Sequence, residues 1–333
     1  MSDTITSGSA ETASDEGRQE RAPDSRRQPQ HDRPKRRVVN GWIVLDKPVG
    51  MTSTHAVAMV KRALNAKKAG HAGTLDPLAS GILPIALGEA TKTVPYVMDG
   101  KKSYVFTVTW GVETDTDDAE GKPVQATNRF PERADVEALL GQFTGTIEQI
   151  PPQFSAVKIA GERAYDLARE GETVELKART VQVDRLAVVA HDGDRSIIEA
   201  DCGKGTYVRA LARDLGRALG CLGHVSALRR TRVGPFNEGE TSSIGDLEAA
   251  AAAEDGLGTL LHPVATALCD LVAVPVSREA AGRLMRGQSV ILRGRDSPLE
   301  GRVYATYNGA LVAVGDVDKG ELIPHRVFSL GER

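Results

Sequence analysis

The sequence has few aromatic residues, few cysteines and no long apolar run. The last two shortages each exclude a class of protein. Aromatic side chains make up 4% of its 333 residues, so an exposed one would be unusual. The three cysteines (Cys202, Cys221 and Cys269) are odd in number and form no CxxC pair, which excludes a disulfide framework and a thiolate zinc site. No apolar run approaches the roughly 18 residues of a membrane span.

The first residues also lack the basic start and apolar stretch of a signal peptide. We therefore expect a cytoplasmic protein that makes no contact with a membrane. Seven histidines without an HxxxH or HExxH pattern predict no metal centre.

The charge balance is close to neutral. A formal net charge of −3 argues weakly against a nucleic-acid protein. The distribution of charge matters more than its sum, because a local lysine and arginine face attracts phosphates whatever the total. The apolar fraction of 41% is ordinary for a globular protein, and the length predicts about two domains.

Composition divides the chain into three parts. Residues 1–38 are predicted to be a disordered tail, because they contain too few apolar residues to offset the entropy of ordering. Its basic end, residues 33–37, is either a solvated segment or an arm that touches RNA phosphates. Residues 39–270 are expected to form the main domain and residues 271–333 a small β-rich domain. Asn308-Gly309 between two apolar runs predicts a hairpin there.

Hydrophobic spacing predicts the elements of the main domain. Residues 42–45 are typical of a buried strand, and Thr52 or Ser53 is a candidate N-cap for a helix whose Val60 and Leu64 face the core. The other predicted elements are strands over residues 104–110, 181–189 and 196–202 and helices over residues 134–143, 207–219 and 242–252.

Residues 70–81 are rich in glycine but also apolar. Three glycines and a proline in twelve residues predict a loop, and Leu75 and Leu78 favour one that packs against the core. Asp76 precedes the proline, so it is either a turn former or a carboxylate presented at a pocket as nucleophile or base. Taken alone, His71 is a loop histidine.

Three further residues suit an RNA site. Arg209 is either a surface arginine on a helix or a charge-assisted partner that aims Asp76. Tyr104 and Tyr207 either pack in the core or stack on an unpaired base.

Taken in order, these segments resemble the bacterial tRNA pseudouridine-55 synthases, the TruB family, over about residues 41–236 and more loosely beyond. The run GHAGTLDPLASGILP at residues 70–84 is similar to the family's catalytic motif almost letter for letter. Shorter similar segments lie at residues 45–48, 88–92, 101–104, 151–158, 203–209 and 228–230. Many segments in the right order argue against a chance similarity.

The resemblance implies a fold and a site. The fold is α+β, with a mixed, largely antiparallel sheet flanked by helices and a small β-rich, PUA-like C-terminal domain that contacts tRNA. The catalytic aspartate falls on Asp76, its arginine partner on Arg209, and a tyrosine that stacks on uracil and is a candidate base on Tyr104. The implied substrate contacts are Tyr207 with the nucleotide, Leu228 in the uridine pocket, His71 in the space left by the flipped base, and Lys47 near the site.

The resemblance also implies the reaction. A uridine at position 55 of the tRNA T loop is flipped out and isomerised to pseudouridine, with attack at C1′ and base elimination both open as routes. No redox change occurs, so no cofactor is expected. The implied partner is tRNA, bound by a monomer that needs no other protein. Phosphate contacts are predicted for Lys61, Arg62, Lys67, Lys68, Arg229, Arg230 and Arg232.

Two other functions stay open. A guide-RNA-dependent relative inside a ribonucleoprotein shares the aspartate motif, although the acidic insert at Thr114–Asp117 resembles the stand-alone form. An RNA-binding folding factor is the second, although the full set of site residues argues against a catalytically inactive protein.

Overall fold

The structure, a computed structural model, describes residues 35–155, 158–159, 162–163, 176–253, 256–294 and 296–330. Nearly all of the predicted disordered tail lies outside these residues. The backbone of Arg37 is already paired, because its amide donates to Asn65 and its carbonyl accepts from Lys67. Residues 36–333 belong to one compact unit.

Two larger sheets account for most of the strands. In chain order the strands are β1 Gly41–Lys47, β2 Ala69–His71, β3 Ala79–Leu87, β4 Lys102–Trp110, β5 Val112–Thr114, β6 Pro123–Ala126, β7 Gly145–Gln149, β8 Lys158–Ile159, β9 Glu162–Arg163, β10 Arg179–Asp192, β11 Arg195–Cys202, β12 Gly223–Val233, β13 Phe236–Asn237, β14 Val272–Pro275, β15 Val290–Ile291, β16 Glu300–Tyr307, β17 Ala310–Asp318 and β18 Glu321–Val327.

The described part of the chain has six α-helices, and the four that the sequence predicted begin close to the predicted positions. In the described part of the chain they are α1 Ser53–Ala63, α2 Val94–Asp99, α3 Arg133–Leu140, α4 Val208–Ala218, α5 Ile244–Ala252 and α6 Arg278–Met285. Thr52 caps α1 by accepting from the amide of His55, and Ser243 caps α5 by accepting from that of Asp246. None of these helices is long and apolar enough to cross a membrane.

The first sheet has the strand order β1-β3-β12-β4-β11-β10-β7, with β2 beside β3 and β13 beside β12. Its pairs are antiparallel except that β3 and β12 are parallel. The predicted mixed, largely antiparallel sheet is therefore confirmed. The parallel pair places Leu228 beside Ala79 and Arg230 beside Gly81, at the point where the glycine-rich segment enters the sheet.

Strand β1 is buried on both faces, which explains the unbroken apolar run in the sequence. Ile43 and Leu45 pack in one cluster with Val60 of α1. Trp42 and Val44 point the other way into a second cluster.

The second sheet begins beyond residue 271 and has the order β14-β16-β17-β18-β15. Its predicted hairpin is confirmed as β16 and β17, and Asn308 and Gly309 have the positive φ values of 49° and 77° that a type I′ turn requires. Leu311 and Phe328 share the cluster of Trp42, so this sheet packs against the outer face of β1 and β3.

Candidate active site

The irregular part of the glycine-rich segment is shorter than predicted. Residues 72–78 connect β2 to β3, whereas both ends of the predicted loop 70–81 belong to strands. Gly81 explains the difference at the second end. Its φ is +95°, and a Cβ there would lie 2.3 Å from the carbonyl oxygen of Arg230, so only glycine lets β3 approach β12 this closely.

The loop is anchored to the core, as its leucines predict. The Ser53 hydroxyl donates to the carbonyl of Leu75 at 2.9 Å and accepts from its amide at 2.8 Å. The amide of Gly50 donates to the carbonyl of Pro77. Leu75 is buried, whereas the Asp76 side chain remains 38% exposed. The loop therefore has a fixed shape and leaves the Asp76 carboxylate accessible.

Arg209 makes the predicted contact with Asp76. Its Nη2 lies 2.9 Å from Oδ2 of Asp76, and its Nη1 lies 3.2 Å from Oδ2 of Asp118. The same two nitrogens donate to the carbonyls of Phe154 and Thr116. The Arg209 side chain is only 7% exposed, so its alternative interpretation as a surface arginine is wrong. The sequence analysis did not identify Asp118 as a member of the site.

Two more arginines of α4 bind the acidic segment after β4. Arg213 and Arg217 follow Arg209 at intervals of one helical turn, so the three side chains lie along one face of the helix. Arg213 pairs with Asp117 at 2.9 Å, and Arg217 pairs with Glu113 at 2.6 Å. Ion pairs with the acidic segment thus hold α4 in place. The available signal was the presence of several acidic residues in this segment and of an arginine at every fourth position of the predicted helix.

The prediction that Arg230 contacts RNA phosphates is wrong. Arg230 is 2% exposed, and its guanidinium lies below the loop. It donates to the carbonyls of Ile82 at 2.9 Å, Gly73 at 3.1 Å and Thr74 at 3.3 Å. Side chains alternate along β12, which turns Arg230 inward and its neighbour Arg229 outward.

The other predicted phosphate contacts lie closer to solvent. Arg229 pairs with Asp46 and Glu238, and a bulge after Arg230 turns Arg232 into solvent. The exposed members of the basic group near α1 are Arg62, Lys67 and Lys68, whereas Lys61 is half-buried.

Tyr104 faces Arg230 across the sheet. The two residues are register partners on the neighbouring strands β4 and β12, so the phenol lies beside the guanidinium. Burial raises the pKa of Tyr104, and the positive charge of Arg230 opposes that rise. Leu228 lies on the same strand as Arg230 and is 9% exposed.

Tyr207 lies at the other border of the site. It is the N-cap residue of α4, and Gln149 fixes its backbone by accepting from its amide at 2.8 Å and donating to its carbonyl at 3.1 Å. Burial raises the pKa of Tyr207.

Lys47 is buried and His71 is half-buried, and both lie close to the loop. Lys47 Nζ donates to the carbonyls of Pro48 and Met51, both at 2.8 Å, so it shapes the turn that follows β1. Burial lowers the pKa of Lys47 to about 8, and the Asp76 carboxylate opposes this shift. His71 lies on β2, and burial followed by the charge of Arg230 lowers its pKa. Its buried Nδ1 has no hydrogen-bond partner among the described residues.

The geometry therefore brings an accessible carboxylate, a largely buried phenol and the apolar side chain of Leu228 close together, and a buried arginine lies beside each of the first two. Within the residues that the structure describes, no group of three or more His, Cys, Asp or Glu side chains is placed to hold a metal ion.

Two protein-family models match the chain in succession. The model described as TruB family pseudouridylate synthase (N terminal domain) matches residues 61–208. The model described as tRNA pseudouridylate synthase B C-terminal domain matches residues 209–269.

Individual proteins are similar over nearly the whole length. The tRNA pseudouridine synthase B of Bradyrhizobium diazoefficiens is 61% identical over 301 residues, which cover 89% of this chain and 87% of that protein. The tRNA pseudouridine synthase B of Agrobacterium fabrum is 54% identical and covers 91% and 98%. Among solved structures, a chain of a Cbf5-Nop10-Gar1 complex is 28% identical with a TM-score of 0.68, and the match covers 88% of this chain and 85% of that chain.

Proposed function

The chain belongs to the TruB family of pseudouridine synthases, and we propose that it isomerises the uridine at position 55 in the T loop of tRNA, with Asp76 as the catalytic carboxylate. The observation that carries this proposal is the accessible Asp76 carboxylate, which the buried guanidinium of Arg209 holds at 2.9 Å. In this role Asp76, Tyr104 and Arg209 form the catalytic group.

The isomerisation exchanges one bond for another. The N1–C1′ bond of uridine breaks, a C5–C1′ bond forms, a proton leaves C5 and a proton joins N1, so the composition of the RNA is unchanged and no cofactor is needed. Arg209 contacts Oδ2 of Asp76, and we assign Oδ1 to the substrate. A carboxylate at that position serves either direct attack on C1′ or elimination of the base.

The pocket must receive a base that has left the T-loop stack. Unstacking costs a few kcal/mol, and stacking on an aromatic side chain returns about 1–3 kcal/mol. We assign this stacking, and the candidate general-base role, to Tyr104. We assign contacts with the flipped nucleotide to Tyr207 and Leu228, the space that the base leaves to His71, and a supporting role beside the site to Lys47.

The remaining assignments concern how tRNA is held. The exposed Arg62, Lys67 and Lys68 near α1 are our candidates for phosphate contacts. Residues 39–270 would act as the catalytic domain and residues 271–333 as a PUA-like RNA-binding domain. We propose that a single copy acts without a partner protein.

A guide-RNA-dependent activity is the second candidate. The similarity to a chain of the Cbf5-Nop10-Gar1 complex favours it, as does a similar structure described as an H/ACA RNP bound to a substrate RNA. The higher identity, 61% against 28%, supports the tRNA substrate. Activity on tRNA without guide RNA or added protein separates the two functions.

The test is pseudouridine mapping on an unmodified tRNA transcript incubated with the purified full-length protein alone. We expect one new pseudouridine, at position 55. Asp76→Asn should give no product above background and keep tRNA affinity within about threefold, because phosphate contacts supply most of the affinity. Product from Asp76→Asn at the wild-type rate would overturn the role of Asp76. Product from the wild type only after guide RNA and partner proteins are added would favour the second candidate.

A further inference from the structure

Among the residues that the structure describes, Arg230 is a buried cation without a carboxylate partner. It is 2% exposed, its guanidinium donates to three carbonyl oxygens, and the phenol of Tyr104 lies beside it. Removing a charged group from water costs several kcal/mol, and an ion pair usually offsets part of that cost. Burial accordingly lowers the pKa of Arg230. A position that retains such a charge calls for a role other than stability.

The charged and titratable groups around Arg230 define that role. Tyr104 faces it from β4 as its register partner, and the carboxylate of Asp76 acts on it from the loop. The other neighbours are cations or neutral bases: burial, with a smaller contribution from the charge of Arg230, lowers the pKa values of Lys47, His71 and Lys102. Among the described residues, the two groups that can carry negative charge beside Arg230 are therefore the proposed carboxylate and the proposed base.

Two glycines of the motif lie against Arg230, Gly81 against its backbone and Gly73 against its guanidinium. Gly81 permits the close approach of β3 to the backbone of Arg230, which brings its side chain below residues 72–78. A Cβ on Gly73 would lie 3.5 Å from Arg230 Nη1, so the loop backbone itself covers the guanidinium. Two bonds from Arg230 to the carbonyls of Gly73 and Thr74 then fix the chain immediately before Asp76.

We propose that Arg230 is a positioning residue for both catalytic groups: one guanidinium fixes the loop that carries Asp76 and the hydroxyl of Tyr104, and so sets the geometry between them. This inference rests on the proposed function. The positive charge of Arg230 also stabilises negative charge that develops on the Tyr104 oxygen during the isomerisation. RNA binding is not its task, since the side chain cannot reach a phosphate.

Two substitutions separate the effect of the planar guanidinium from the effect of its charge. Arg230→Met removes the guanidinium and the charge, whereas Arg230→Lys keeps a cation but loses the planar donor set that reaches several acceptors at once. We expect tRNA affinity within about threefold of wild type for both. Under single-turnover conditions the rate should fall about 100-fold for Arg230→Met and about 10-fold for Arg230→Lys, because small errors in catalytic geometry have effects of this size.

A spectroscopic measurement reports on Tyr104 without substrate. In protein labelled with 3-fluorotyrosine, the ¹⁹F resonance of Tyr104 is the one that disappears in Tyr104→Phe. Arg230→Met should shift that resonance, because the phenol loses the neighbouring cation. Val136→Ala is the matched control: Val136 is fully buried on α3, a helix that packs on β10, so its truncation lowers stability without removing a contact of Arg230. It should keep both the resonance and the rate.

The outcomes are distinguishable from a failure of the proposed function. Wild-type protein must first form pseudouridine in the tRNA, and the Arg230 comparison is made only against that activity. An unshifted Tyr104 resonance together with an unchanged rate in Arg230→Met would overturn the inference. A loss of rate no larger than that of Val136→Ala would do the same. If Arg230→Met does not fold, Arg230→Lys decides with the same readouts, and wild-type turnover from it would contradict the role.

Discussion

Arg209 and Asp76 meet at 2.9 Å, although one lies on α4 and the other on the loop between β2 and β3. The arginine is 7% exposed and the aspartate 38%, so a buried cation orients an accessible carboxylate. Asp118, which is 4% exposed, binds the other end of the guanidinium. The arrangement leaves one carboxylate for the substrate and uses the second to hold the arginine.

Arg209→Ala should abolish turnover and lower stability. The substitution leaves Asp76 without its orienting partner and Asp118 buried without a cation, and breaking a buried pair costs about 3–5 kcal/mol. Single-turnover pseudouridine formation and urea unfolding measure the two effects. Arg133→Ala, which removes an exposed pair with Glu137 on α3, is the control and should change stability by about 0.5 kcal/mol or less. Wild-type turnover from Arg209→Ala would show that the pair with Asp76 is dispensable.

Ser53→Ala and Thr52→Ala should have different effects although they are adjacent. Ser53→Ala leaves the amide and carbonyl of Leu75 buried and unpaired, which costs about 1–3 kcal/mol and loosens the loop beside Asp76. Thr52→Ala removes only the cap of α1, at about 1 kcal/mol. We expect slower turnover from the first and wild-type turnover from the second, measured alongside urea unfolding. Equal turnover from both variants would mean that the Ser53 anchor does not position the loop.

The sequence predicted the local elements well because their signals are local. The cap of α1, the apolar run of β1 and the Asn308-Gly309 turn each depend on neighbouring residues. The contact of Arg209 with Asp76 was one of two alternatives that the residues left open, and the resemblance favoured it, since no spacing rule joins such distant positions.

What could not be predicted from the sequence depends on strand register. Positions 229 and 230 are both arginine, and their place in a basic run suggested phosphate contacts for Arg229 and Arg230 alike. Which one is buried follows from the pairing of β12 with β3 and β4 and from the bulge after Arg230. Likewise, the carboxylates of Asp117 and Asp118 acquire their roles only when α4 packs beside them.

Lys47 should make stability increase with pH above about 8. Burial lowers its pKa to about 8 from an ordinary 10.5, so between these values the unfolded chain binds more protons than the folded protein. The unfolding free energy then rises with pH over that interval and is flat in this respect below it. We expect the wild-type value minus the Lys47→Met value to increase from pH 8 to pH 10. Lys102 has a pKa shift in the same direction but is present in both proteins, so its contribution cancels.

The measurement for Lys47 is urea unfolding at half-unit pH steps from 7 to 10. A difference that stays constant over this range would show that Lys47 is not desolvated in the folded protein. A difference that decreases would mean that folding raises its pKa, and would point to Asp76 as the dominant influence on Lys47.

Substitution by alanine should lower stability strongly at Gly81 and hardly at all at Gly70, although both glycines belong to the same motif. In Gly81→Ala the new Cβ would lie 2.3 Å from the carbonyl oxygen of Arg230 and 3.0 Å from its amide nitrogen, at a φ of +95°. Because both obstacles are backbone, β3 must move from β12, and we expect a loss of about 3 kcal/mol or more. Gly70→Ala meets nothing within 4 Å and should change stability by about 0.5 kcal/mol or less.

Turnover should follow the same order as stability in these two variants. The pairing of β3 with β12 carries Leu228 and Arg230 to the loop, so separating the strands displaces the Leu228 side chain and the buried guanidinium together. Urea unfolding and single-turnover assays measure the two effects. Both are carried out at 15 °C, so that a destabilised Gly81→Ala protein remains folded. A stable, active Gly81→Ala protein would show that the site tolerates a wider spacing of these strands, and would remove the steric reason for glycine at position 81.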